Sequence, residues 1–197
     1  MRFMNLRRLF SLSNITTGIM VPFLILVWVN PSVKAGVMQG LMKVGLFQPG
    51  MPEEVSPDGN MAPDMSFTDG EGKTFTLSSL RGKVVFLNFW ATWCPPCRAE
   101  MPSINALYER FREDKNVIFL TVDTDGNYKK ASSFLKRQQY SLPLYVADSQ
   151  IPGELLGRSI PTTVIINKKG QIAYRHEGAA DYGNERFMSY FEKYIRK

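Results

Sequence analysis

The apolar residues of this chain are grouped in runs of differing period, and the period predicts the element. No charged residue occurs from Leu9 to Val33, and Ile15 to Val29 is mostly apolar. An uncharged span of that length exceeds the roughly 20 residues a membrane helix needs. Val84 to Phe89 is short and almost continuously apolar, which predicts a central strand buried on both faces. Asn116 to Val122 predicts a second strand of the same kind. Ile104, Leu107, Tyr108 and Phe111 instead recur every three or four residues, so a helix that begins at the preceding cysteines is expected to continue through Ala99 to Arg112, kinked by Pro102. The same spacing of Phe187, Tyr190, Phe191 and Tyr194 predicts a final helix from about Asn184 to Ile195.

Weaker patterns complete the plan. Met65–Phe67 and Lys73–Leu77 flank the turn-rich tetrad Asp69-Gly70-Glu71-Gly72, a β-hairpin signal. Tyr128–Gln139 reads as a helix and Leu144–Ala147 as a short strand. Thr163–Asn167 and Gln171–His176 read as strands joined at Lys168-Lys169-Gly170. The acidic loop Asp123–Asn127 faintly suggests a calcium loop, but Phe134 falls where the terminal glutamate is needed, so it is read as an ordinary loop before a helix. Gln48 to Pro63, with Pro49, Pro52, Pro57 and Pro63, reads as a linker. The expected organisation is a membrane segment at 1–35, a membrane-adjacent segment and linker at 36–62, and a folded domain at 63–197. Strands alternating with helices and ending in a strand hairpin predict an α/β domain with helices covering a mixed sheet.

Charge changes this picture at the amino terminus only. The formal net charge is +6, but Arg2, Arg7, Arg8 and Lys34 lie in a stretch of 35 residues that holds no acid. The remainder is close to balance, so there is no nucleic-acid footprint. Arg7 and Arg8 precede the apolar run, which by the positive-inside rule leaves the amino terminus in the cytoplasm and the domain outside. A cleaved signal peptide is the competing reading, with Val33-Lys34-Ala35 as a cleavage site ending at Ala35. A retained anchor is preferred because the uncharged run is long and Gly36 to Phe47 resembles amphipathic membrane-adjacent chain. Either way the domain is exported to a compartment where disulfides persist.

The chemistry lies in Trp90–Pro102, WATWCPPCRAEMP, which contains the only cysteines, Cys94 and Cys97. They follow a predicted strand and precede a predicted helix. A helix N-terminus offers unpaired N–H groups and partial positive charge, which favour a thiolate. Cys94 is then a candidate nucleophile, and Cys97, one turn further on, can attack a mixed disulfide formed on Cys94. A zinc site would need further ligands, and the chain offers no third cysteine and only His176, so no metal is expected. His176 itself is expected to face solvent at a strand end. A structural disulfide is a weak alternative, since so short a loop removes little chain entropy. Glu100, read on its own, fits a solvated charge in the first turns of a helix.

This cysteine segment, the hairpin before it and Ile160-Pro161-Thr162 together resemble the thioredoxin superfamily, specifically its TlpA/ResA-type membrane-anchored members. The resemblance covers roughly Pro63 to the carboxyl end. It implies a thioredoxin-like fold, a central mixed sheet flanked by helices with an N-terminal β-hairpin extension, preceded here by one transmembrane helix. It implies that Cys94 is the exposed attacking cysteine and Cys97 the buried resolving one. Trp93, Pro95, Pro96, Ile160 and Pro161 would meet the substrate, with the Ile160–Pro161 bond cis and the backbone beside it pairing with the substrate chain. Glu100 would influence cysteine protonation. Asn88 departs from the buried aspartate of cytosolic thioredoxin, and an amide cannot accept the resolving cysteine's proton. Pro95 and Pro96 give a thiolate neither a cation nor an N–H, which points to a reductase.

The implied activity is that of an extracytoplasmic thiol–disulfide oxidoreductase with no dissociable cofactor beyond the Cys94–Cys97 pair. Its partners would be disulfides of exported proteins and a membrane electron donor, with cytochrome c maturation among the possible roles. It would be a single-pass protein of the cytoplasmic membrane with its domain in the periplasm or extracytoplasmic space. Two other readings are a peroxiredoxin-like enzyme, which needs a distant resolving cysteine, and a Cu(I) chaperone using the same pair.

Overall fold

The computed structural model describes residues 12–46 and 59–196. Helix α1 (Leu12–Val29) and helix α2 (Pro31–Lys43) precede a seven-stranded sheet. Two sequence features at the junction of α1 and α2 explain the break. Pro31 disfavours helical geometry in the residue before it, and the Asn30 side chain caps α2 by accepting from the N–H groups of Ser32 and Val33 at 2.9 and 3.4 Å. The chain bends by 103° there. The described part of the membrane segment expected over 1–35 is therefore two helices meeting at Asn30, with Ala35 inside the second, and residues 1–11 lie outside the described residues. Among the described residues no single helix is long and apolar enough to cross a membrane, although the bent pair together is.

The domain contains β1 (Ser66–Thr68), β2 (Thr74–Thr76), β3 (Val84–Trp90), α3 (Pro95–Phe111), β4 (Val117–Asp123) and α4 (Tyr128–Arg137). It continues with β5 (Leu144–Ala147), β6 (Thr162–Ile166), β7 (Ile172–Glu177) and α5 (Glu185–Arg196). Sheet order is β2-β1-β5-β4-β3-β6-β7. β3, β4 and β5 are parallel, while the β1–β2 hairpin and the β6–β7 hairpin add antiparallel strands at opposite edges. This is the mixed thioredoxin-like sheet.

Alternation along β3 assigns its residues to two cores. Val84, Phe86 and Trp90 face α3, α4 and α5, and Phe86 packs its ring 5.2 Å from Phe119 and 5.5 Å from Tyr182. Val85, Leu87 and Phe89 face the opposite side, with Leu77, Phe67, Leu155 and Val164. The domain helices α3, α4 and α5 thus share one face, and the second face is covered by the hairpin and by irregular chain. The sequence expectation of helices covering the sheet holds for one face. Asn88, the polar member of the even set, consequently points at α3.

The expected linker overlaps the fold. Residues 47–58 lie outside those described, but Asn60 accepts from Ile172 N–H and Ala62 donates to Gly170 O, both at 2.9 Å. Met61 bridges Gln171. Asn60, Met61 and Ala62 thus pair with the turn that leads into β7 and with its first residue.

Candidate active site

β3 runs into α3 through Ala91–Cys94, and the break between strand and helix presents the cysteines. Cys94 is the N-cap of α3, in extended geometry (φ −79°, ψ 110°), and its sulfur accepts the Cys97 N–H at 3.2 Å. Pro95 and Pro96 occupy the first two helical positions, where their fixed φ suits a helix start. They also lack the N–H groups that a helix terminus would otherwise offer. Helix α3 therefore starts at the cysteines, as the strand-to-helix reading of the motif expects. Cys94 and Cys97 form a disulfide, with Cα atoms 5.3 Å apart. Only 2 % of Cys94 is accessible, which corrects the expectation of an exposed cysteine: in the oxidised state Ile160 and its own helix turn cover it. Cys97 is fully buried.

An open groove of about 460 Å³ runs beside the disulfide, lined by Trp93, Cys94, Pro95, Pro96 and the segment Leu156–Ile160. The Ile160–Pro161 bond is cis. Ile160 O lies 3.8 Å from Cys94 Sγ; a disulfide sulfur carries no hydrogen, so this is a contact and not a bond. Pro161 is buried behind the groove wall, and its carbonyl accepts the Gly178 N–H at 2.8 Å. The wall is tightly tied. Thr162 Oγ1 stands 2.6 Å from both Leu156 O and Ser159 O, sharing its one hydrogen, and Ser159 Oγ donates to Glu177 at 3.2 Å. On the facing side Trp93 is 56 % exposed, and its indole N–H donates to the Asp125 carboxylate at 2.9 Å.

Beneath the cysteines lies a polar cluster with no access to water. Glu100 and Asn88 are fully buried. Asn88 Nδ2 donates to Glu100 Oε1 at 2.8 Å and to Thr163 Oγ1 at 2.9 Å, and the Ala180 N–H donates to Glu100 Oε2 at 3.3 Å. Burial drives the Glu100 pKa up to about 8, against the opposing effect of these bonds. The reading of Glu100 as a solvated charge is excluded. His176 also departs from expectation: it is half-buried on β7, stacked at 14° on Tyr174, and burial lowers its pKa.

The structure brings Trp93, Cys94, Pro95, Pro96 and Ile160 to one groove, with Pro161 behind it and Glu100 below. Sequence reasoning missed Asp125, Thr163, Ala180 and the wall Leu156–Ser159. The acidic loop of Asp125 was visible, but its pairing with Trp93 needs the fold, and Ala180 contributes only a backbone N–H.

A disulfide at a strand-to-helix break, a cis-proline loop beside it and a mixed sheet behind define a thioredoxin-type thiol–disulfide oxidoreductase. The chain belongs to the Redoxin family, whose model matches residues 57–188, and within the thioredoxin superfamily it is of the ResA/TlpA type. It is 35 % identical over 136 residues to a thiol-disulfide oxidoreductase ResA of Bacillus cereus, covering 68 % of this chain and 77 % of that one. The crystal structure of StoA from Bacillus subtilis superposes with a TM-score of 0.52 at 26 % identity, over 66 % of this chain and 96 % of that one. The exposed lipoprotein thioredoxin Etrx1 of Streptococcus pneumoniae gives 0.51 at 28 % identity, over 68 % and 98 %.

Proposed function

We propose that this oxidoreductase is a single-pass protein of the cytoplasmic membrane that reduces disulfides of exported proteins in the periplasm or extracytoplasmic space. The Cys94 thiolate attacks one sulfur of a substrate disulfide, forming a mixed disulfide and expelling a substrate thiolate that takes up a proton. The Cys97 thiolate then attacks Cys94 Sγ, expels the second substrate thiolate and closes the Cys94–Cys97 disulfide. Two electrons pass to the substrate. A membrane-embedded dithiol donor returns them, so the cysteine pair is the only redox group the reaction requires. Trp93, Pro95, Pro96 and Ile160 receive the substrate chain, with Pro161 shaping the backbone beside it. Glu100, whose burial raises its pKa to about 8, near the roughly 8.5 of a thiol, takes the proton of Cys97 in its ionised form and gives it up again from its neutral form. Maturation of cytochromes c is one task consistent with this chemistry.

The direction of flow rests on one observation, the poor stabilisation of a thiolate at Cys94. Of the first three helical positions only Cys97 donates an N–H to the Cys94 sulfur, since Pro95 and Pro96 have none, and Ile160 presents a carbonyl oxygen to it. A thiolate poorly stabilised makes the reduced form a good electron donor. Redox equilibration of the isolated protein with glutathione tests this: the potential should lie nearer the roughly −270 mV of thioredoxin than the −120 mV of a strong oxidant. A value near the latter reverses the direction. Membrane attachment is supported by the uncharged run from Leu9 to Val33 and by the exposed apolar side chains of α1, among them Ile19, Phe23 and Leu24. Fractionation with amino-terminal sequencing tests it, and a soluble mature chain starting at Gly36 would end it.

A further inference from the structure

Helix α2 has two apolar faces, and the fold uses one of them. At 100° per residue, Ala35, Met38 and Met42 cluster on one side, and Val37 and Leu41 lie about a third of a turn round from them, with Val44 the C-cap of the helix. Ala35 and Met42 are 4 % and 5 % exposed, and Met42 and Met38 pack with Ala99 of the active-site helix and with Ala179. The second face reaches the surface: Val37 and Leu41 are each 39 % exposed, and the C-cap Val44 is 74 % exposed.

Polar bonds fix the docked face in register. Pro102 has no N–H to give to Arg98 O one turn back in α3. Gln39 Nε2 of α2 donates to that carbonyl at 3.2 Å instead. Arg98 Nη2 returns a bond to Ser32 Oγ at 2.9 Å. A proline inside α3 thus creates the acceptor that α2 occupies, one residue beyond Cys97.

We propose that α2 lies in the bilayer surface, its Val37–Leu41–Val44 face among lipids and its Ala35–Met42 face carrying the active-site helix. This rests on the membrane-anchored reading above and deepens it. The occupant of the second face follows from continuity: α2 leaves an apolar helix at 103°, so an α1 inserted along the bilayer normal, as the anchored reading has it, sets α2 nearly parallel to the membrane surface. Lys34, on the flank between the two faces, reaches the headgroups by extending its stem. Packed helices lie roughly 8–10 Å apart, so α3 sits about one helix diameter above the lipid. The cysteines then meet partners that present their sulfurs close to the bilayer.

The test uses the full chain carrying Cys94→Ser and Cys97→Ser, with one nitroxide label introduced through Val37→Cys, Leu41→Cys or Val44→Cys. Lys115→Cys supplies a solvent-exposed control. The protein is reconstituted in phosphatidylcholine–phosphatidylglycerol vesicles, and collisions with oxygen and with an aqueous nickel chelate are measured. Labels at 37, 41 and 44 should collide with the chelate several-fold less than the label at 115, and more with oxygen. Vesicle-bound protein whose three labels meet the chelate as freely as position 115 overturns the placement of α2 alone. Labels shielded from both reagents show protein covering the face and overturn it as well. Protein that elutes free of the vesicles defeats the anchored reading itself, and the proposal with it.

Discussion

Asn88 Nδ2 donates to Glu100 Oε1 at 2.8 Å between β3 and α3, and neither side chain reaches solvent. That bond suits either form of the acid, but burial favours the neutral one and moves its pKa from 4.5 to about 8. The native state therefore keeps a proton that the unfolded chain releases. Stability is fully present below the unfolded value and is lost as pH rises through the folded one. Denaturant titrations from pH 4.5 to 8 should show unfolding free energy falling by about 1.4 kcal/mol per pH unit from this group. Glu100→Gln should flatten that slope; an unchanged slope would show that Glu100 is not the titrating group.

The same acid bears on resolution. With Cys97 attack followed by stopped-flow on a preformed mixed disulfide, Glu100→Gln should shift the pH profile of the rate while leaving the capture of substrate by Cys94 largely intact. An identical profile removes Glu100 from the proton pathway.

Cys97→Ser should freeze substrates on Cys94, and non-reducing electrophoresis with mass spectrometry should identify them. Cys94→Ser should trap none, even with Cys97 present, because Cys94 lines the groove and Cys97 lies behind it. Equal trapping by both variants would contradict the assigned order of attack.

Trp93 owes its orientation to Asp125, whose carboxylate accepts the indole N–H at 2.9 Å. Asp125→Ala frees the ring to rotate out of the groove. The loss of an exposed charge-assisted bond, about 1 kcal/mol, should lower kcat/KM for a protein disulfide by roughly fivefold through KM. A Trp93→Ala variant should be insensitive to the Asp125 change, so the double variant measures the coupling.

Gly157 stands in the groove wall at φ +75°, and a Cβ there would clash with Arg175 Nη2 and the Glu177 carboxylate. Gly157→Ala combines backbone strain with displacement of the Arg175–Glu177 pair, 2.7 Å apart, that steadies Ser159. About 1–2 kcal/mol of stability should be lost, with a larger fall in reductase activity than Gly178→Ala causes. Gly178 has a similar φ of +100° but nothing within 4 Å of its added Cβ.

Much of this was legible from period and spacing. The apolar runs at Val84 and Asn116 became β3 and β4 within a residue, since a strand buried on both faces has little choice of composition. The cysteine spacing marked the site because the two thiols need only one helical turn to meet. What escaped was whatever depends on chain brought from afar. Glu100 looked like any acid in an early helical turn until Asn88 and Ala180 enclosed it. Met61 and Ala62 sat among prolines and read as linker, although their backbone pairs with Gln171 and Gly170 in the turn before β7. The turn at Asn30 is a local signal, an N-cap before a proline, but it lay inside an apolar run whose length suggested one continuous helix.

The groove wall from Leu156 to Ile160 is pinned by the Thr162 hydroxyl and by Glu177. A wall held in this way resists deformation, so whatever adjustment docking beside Cys94 requires falls more on an arriving chain than on the wall.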